Sequence, residues 1–93
     1  MVDEKRKAEI LRQLSTLQAE LDELSRTDRD QARSIAGFAE LSAHEATRPE
    51  TRAELLTLSV TGLRKSVQDF EATHPRLVEI VGSLSALLSS VGV

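Results

Sequence analysis

The sequence predicts an all-α protein, a compact four-helix bundle with short loops that is completed or extended by self-association. Three observations predict it. Large apolar residues recur in steps of three and four along four stretches, and polar clusters carrying Thr, Asp or Pro separate those stretches. Each apolar seam lasts only three to four turns, too short for an extended coiled coil and suited to a bundle.

The first helix covers about residues 3–25. Ile10, Leu14, Leu17, Leu21 and Leu24 form one apolar side, with Arg12, Gln13, Glu20, Asp22 and Glu23 between them. Asp3 with Lys7 and Asp22 with Arg26 are spaced for ion pairing one turn apart. The polar segment from Ser25 to Gln31 follows, and Thr27 with Asp30 has the spacing of a capping box. A second helix over about 28–46 is expected from there, although the junction also admits one long helix. Its inward face is mostly small: Ala32, Ile35, Ala36, Ala39, Ala43 and Ala46. Gly37 within it costs about 1 kcal/mol relative to Ala unless close packing offsets the loss.

Thr47-Arg48-Pro49 marks the next boundary, since proline suits the first helical position and biases its predecessor away from helix. The third helix is expected over about 49–72 with the seam Leu56, Val60, Leu63, Val67 and Phe70. A second face, Leu55, Ser59, Gly62 and Ser66, is small beyond its first member and open to close approach by another backbone. Thr73-His74-Pro75 repeats the proline device and starts a last helix over about 75–91. Leu77, Val81, Leu84, Leu88 and Val91 are its seam, and Gly82, Ala86 and Ser90 form a small-residue row. It has no charge after Glu79. Such a helix is normally surrounded, so it is expected either at the centre of the bundle or against a second copy. On that reading the five seam residues supply buried area and the small row permits close approach.

Composition bounds the function. Of 93 residues, 26 are Leu, Ile, Val or Phe, above the level of disordered chains, and the two aromatics, Phe38 and Phe70, leave an aliphatic core. No cysteine means no disulfide framework, thiol nucleophile or zinc–thiolate site. A net charge of -3 without Trp or Tyr argues against nucleic acid. The charged start lacks a signal-peptide pattern, and the longest uncharged stretch, Ile80 to Val93, is shorter than the about 20 residues of a membrane span. A soluble cytoplasmic protein is expected.

Candidate chemistry is sparse. Glu71 and His74 form an E-x-x-H unit of the kind used in di-metal bundles, which need two such units and two further carboxylates. One unit at a helix end fits a capping histidine better, although a dimer axis would duplicate it. Glu40 and His44 are one turn apart and lack further ligands. Lys5-Arg6-Lys7 is flanked by Asp3, Glu4 and Glu9, which largely cancel its field. No G-x-S-x-G elbow occurs, and isolated glycines form no phosphate loop.

Phe70-Glu71-Ala72-Thr73-His74-Pro75-Arg76-Leu77, followed by a leucine-spaced helix ending Ser89-Ser90-Val91-Gly92-Val93, resembles family four-four-zero-four of the domains of unknown function, whose members show an F-E-x-x-H-P-x-L turn. The opening helix, with Leu11, Leu14, Leu17 and Leu21, looks like that family's first helix. The chain ends Gly-Val where the family more often has Gly-Ile, and its Ala-rich second helix aligns poorly. The resemblance implies a short helical bacterial protein and assigns no activity.

The expected function is therefore non-enzymatic and without a cofactor: an oligomerising or protein-binding helical module. Its partner is expected to be a second copy, in a dimer, or another helical protein, met through Leu77, Val81, Gly82, Leu84, Ala86, Leu88, Ser90 and Val91. The alternative is a metal-binding bundle using Glu71 and His74 across a dimer axis. Peripheral membrane attachment through the C-terminal segment is a third reading.

Overall fold

Helix formation follows the apolar spacing closely, and the ends of the helices follow the polar side chains between them. The computed structural model describes residues 4–91, in the order α1 Glu4–Ser25, α2 Arg29–Ala46, α3 Ala53–Ser66, a 3-10 turn Gln68–Phe70, and α4 Pro75–Val91. Asp3, and with it the expected Asp3–Lys7 pair, lies outside the described residues, as does the final Gly92-Val93.

On α1, Ile10, Leu17, Leu21 and Leu24 are buried and Leu14 is partly buried. The helix stops at a tight turn, and α2 is a separate helix. Asp28 caps α2: its carboxylate accepts the Gln31 N–H at 3.1 Å. Thr27, the residue expected in that role, instead donates its hydroxyl back to the Leu24 carbonyl at 3.2 Å. Asp28 stands one residue nearer the free N–H groups of α2, so its carboxylate takes the cap.

The third helix is shorter at both ends than the spacing suggests. Pro49 lies in the connector, and α3 starts at Ala53 behind Arg52, whose carbonyl accepts the Leu56 N–H at 3.0 Å. Arg52 turns its side chain back onto Glu45 of α2, which holds residues 47–52 as a turn. At the far end the Val67 N–H bonds the Arg64 carbonyl, three residues back, and the chain tightens into the 3-10 turn. Val67 is still buried and Phe70 packs on the core, so the seam continues without the helix. Pro75 is the first residue of α4, as expected.

The four helices form a ring, each packed on its chain neighbours, with α1 closing against α4 and α2 touching α4 across the diagonal. Their senses alternate. Arg76 at the start of α4 donates to Glu20 near the end of α1 at 2.7 Å, while Lys5 and Arg6 at the start of α1 lie beside Leu87 near the end of α4. The latter arrangement sets cations near a helix C-terminus that has no basic residue in its own last turn. Ile10, Leu17, Leu24, Ile35, Leu63, Leu77, Leu84 and Leu88 are completely enclosed in the aliphatic core. α2 contributes Ala32, Ala39, Ala43 and Ala46 to it, side chains that fill little space and require neighbours to come close. Ser85 brings to the core a hydroxyl that lacks a hydrogen-bond partner.

α4 is a corner of the ring and not its centre. Leu77, Val81, Leu84 and Leu88 point inward, whereas Gly82, Ser83, Ala86, Ser89 and Ser90 are exposed. Within one chain the missing charges therefore do not mark a surrounded helix. Small and hydroxyl-bearing residues cover its outer face, and the Ser90 hydroxyl donates to the Leu87 carbonyl at 2.6 Å. No helix in the described residues is long and apolar enough to cross a membrane.

Two glycines, Gly37 and Gly82, lie in helix interiors with nothing within 4 Å of where a Cβ would stand. Neither has the close neighbour that would offset its propensity cost. Gly37→Ala and Gly82→Ala should each raise stability by roughly 0.5–1 kcal/mol in chemical denaturation. A loss at either position would show that another chain segment closes on it.

Candidate functional site

The residues that the sequence singles out do not assemble into a reactive centre. Glu71 is exposed, while His74 is half-buried, with its ring edge-on to Phe70 at 5.5 Å and its Nδ1 3.0 Å from the Thr73 hydroxyl. Glu40 and His44 are both exposed. Among the described residues no group of three or more His, Asp and Glu side chains is gathered where it would hold a metal ion. Lys5, Arg6 and Lys7 are exposed at the start of α1. The bulky seam of α4 is occupied by the chain's own core, apart from Val91, which is half-buried; Gly82, Ala86 and Ser90 are exposed, and Val78, Ile80 and Leu87 are half-buried beside them.

Apart from Leu11 on α1, the bulky exposed side chains among the described residues lie on α2 and α3. Phe38 and Leu41 on α2 are 37% and 50% exposed, and Leu55 and Leu58 on α3 are 40% and 62% exposed. Together with Glu45, Arg52 and Ser59 they line one depression of about 250 Å³ between the two helices. Isolated exposed leucines are ordinary, but four large apolar groups around one concavity are not.

The local sequence explains why the depression forms. Facing residues of α2 and α3 are small, and Ser42 and Ser59 are buried with their hydroxyls satisfied by their own helices. Ser42 donates to the Phe38 carbonyl at 2.7 Å, and Ser59 to the Leu55 carbonyl at 2.9 Å. Gly62 supplies a seat for an aromatic ring: a Cβ there would fall inside the van der Waals envelope of Phe38. The ring thus packs against α3 at Gly62 and forms one wall.

The other end is polar. The Glu45 carboxylate is only 2% exposed, and Arg52 grips it with two hydrogen bonds, Nε to Oε1 at 3.1 Å and Nη2 to Oε2 at 2.7 Å. Arg48 adds a longer ion pair at 3.6 Å. The hydrogen bonds from Arg52 hold the Glu45 carboxyl below the usual carboxylate range, helped by the charges of Arg52, Arg48 and His44 and opposed by burial. The same pairing raises the Arg52 guanidinium. This clasp joins the last turn of α2 to the first residue before α3 and so fixes the mouth of the depression.

The arrangement offers an apolar surface with a charged end, and it contains no nucleophile beside a base. Sequence reasoning finds the α3 half of it, in the face Leu55, Ser59 and Gly62, but passes over Phe38, Leu41 and the clasp. A signal exists: Phe38, Leu41 and Glu45 form a second stripe in steps of three and four beside the alanine face.

Comparison with known families adds one finding. The family model described as Domain of unknown function (DUF4404) matches residues 10–93. The chain belongs to that family. The match extends well beyond the F-E-x-x-H-P-x-L turn and the C-terminal helix, so the Ala-rich α2 of this DUF4404 protein is included. Phe38, Leu41, Leu55, Leu58 and the Glu45–Arg52 clasp all fall within it. No curated protein and no solved structure matches the DUF4404 chain.

The clasp generates a pH prediction. Because the folded-state carboxyl of Glu45 titrates below its ordinary value of 4.5, its stabilisation is complete above that value and is lost as pH falls through the folded one. The wild-type chain should therefore be more stable than Glu45→Gln at pH 7, and the gap should close below about pH 4.5, measured by urea titration across pH. A gap independent of pH would mean that the ion pair is not its source.

Proposed function

We propose that the chain is a non-enzymatic protein-binding module that receives a helix from another polypeptide on the apolar face of α2 and α3. The observation that carries this reading is the clustering of Phe38, Leu41, Leu55 and Leu58, four large side chains left in water around one concavity. Covering such a surface releases ordered water and is favourable at about 25 cal/mol for each Å² of apolar area removed. A groove between two antiparallel helices suits a third helix, which lays its own apolar stripe between them.

This reading moves the binding face from α4 to α2 and α3. The α4 row of Gly82, Ala86 and Ser90 offers little apolar area of its own, since Leu77, Val81, Leu84 and Leu88 are buried and Val78, Ile80 and Leu87 are partly buried. Small residues help helices approach once something else draws them together. The leucines and the phenylalanine on α2 and α3 supply that attraction.

Site-specific photocrosslinking in the native cell tests the reading. A benzophenone amino acid at position 58 should give a discrete protein adduct, and the same group at position 83 on the outer face of α4 should give none. Leu41→Asp should reduce the position-58 adduct by at least about tenfold, as expected where an apolar anchor is replaced by a charge. Adducts from position 83 alone would return the binding face to α4, and adducts from neither position would contradict the proposal.

A further inference from the structure

We infer that Gly62 is a positioning residue of the α2–α3 face: because it has no side chain, the Phe38 ring rests on α3 there and leaves the depression open to an aliphatic side chain of the docked helix. The inference rests on the docking reading above and adds the residue that decides whether the face can be entered. Its basis is a difference among the glycines of the helices. Gly37 and Gly82 have open space where a Cβ would stand, whereas at Gly62 that atom would overlap Cε1 of Phe38 and stand 2.7 Å from its Cδ1 and 3.0 Å from its Cζ. One edge of the ring therefore fills the place that any other residue would give to its own side chain.

The backbone does not explain a glycine at this position. No glycine among the described residues has a positive φ, and Gly62 lies inside α3 Ala53–Ser66, where glycine weakens a helix relative to alanine. The ring contact is what the missing side chain makes possible.

What a side chain at position 62 would do follows from which group yields. The obstructing atoms are the far end of a flexible side chain that is 37% exposed, and the ring moves more readily than the backbone of either helix. Leu41 stands one turn beyond Phe38 on α2, and Leu55 and Leu58 border the depression from α3. A ring displaced from Gly62 lowers its exposure to water by covering these groups. At about 250 Å³ the depression lies below the about 300–1,000 Å³ usual for ligand pockets, so it has no room for that ring together with a partner's side chain. The chain would then cover its own binding face.

Two measurements on Gly62→Ala test the inference. Nuclear Overhauser contacts of the Phe38 ring should pass from position 62 in the wild type to the Leu41 and Leu58 methyls in the variant. A ring that never meets position 62, or that keeps its place in the variant, would overturn the inference. So would a variant that fails to fold, because the ring would then be unable to move aside. Affinity is read with a synthetic helix-forming peptide, selected from a displayed random library on the intact wild-type chain and losing its binding on Leu58→Asp. That peptide should bind Gly62→Ala at least about fivefold more weakly, and a smaller change would overturn the inference while leaving the docking face in place. A library that yields no peptide dependent on Leu58 would overturn the docking reading and this inference with it.

Discussion

Because α2 presents alanines to the core, its neighbours must come to it. Ala32, Ala39, Ala43 and Ala46 bury little area each, so the stability of the bundle depends on the longer side chains of α1, α3 and α4 closing over that thin face. The consequence appears on the stripe beside that face. Two of the three large apolar residues of α2, Phe38 and Leu41, are left outside the core while Ile35 is enclosed, and α3 brings Leu55 and Leu58 alongside them. Core economy on one face and an exposed apolar surface beside it are two results of the same residue placement.

The Glu45–Arg52 clasp belongs to this scheme. A carboxylate enclosed near the end of α2 must be paired, and the residue that pairs it stands immediately before α3. The connector is thereby held as a turn with no glycine in a left-handed conformation among the described residues. The clasp also places charge at one end of the α2–α3 depression. It neutralises the buried acid, and the guanidinium that does so also lines the depression.

Much of the architecture was legible in the sequence because aliphatic residues at steps of three and four have few alternatives in a chain of this size. The seams on all four helices turn inward as their spacing requires, and Pro75 opens α4 where it should. The misjudged features depended on relations between elements. Whether Pro49 starts a helix is decided by Arg52 reaching seven residues back to Glu45, and nothing in the local sequence states that contact. The choice of Asp28 over Thr27 as a cap turns on one residue of reach. The charge-free α4 admitted a central place in the bundle, yet within one chain it stands at a corner with small and hydroxyl-bearing residues on its outer face. Conversely, the α2–α3 surface was hidden because Phe38 and Leu41 read individually as ordinary helix residues, and only the packing of α3 makes them one surface.

The central claim is that the bulky side chains between α2 and α3 meet water in the free chain while the α4 seam does not. Methyl NMR with a soluble paramagnetic probe measures this directly. The account predicts strong broadening of the Leu41, Leu55 and Leu58 methyls and sharp, protected signals from Leu63, Leu84 and Leu88. Protected methyls at positions 41 and 58 in the isolated monomer would contradict it, because the surface would already be covered before any partner arrived.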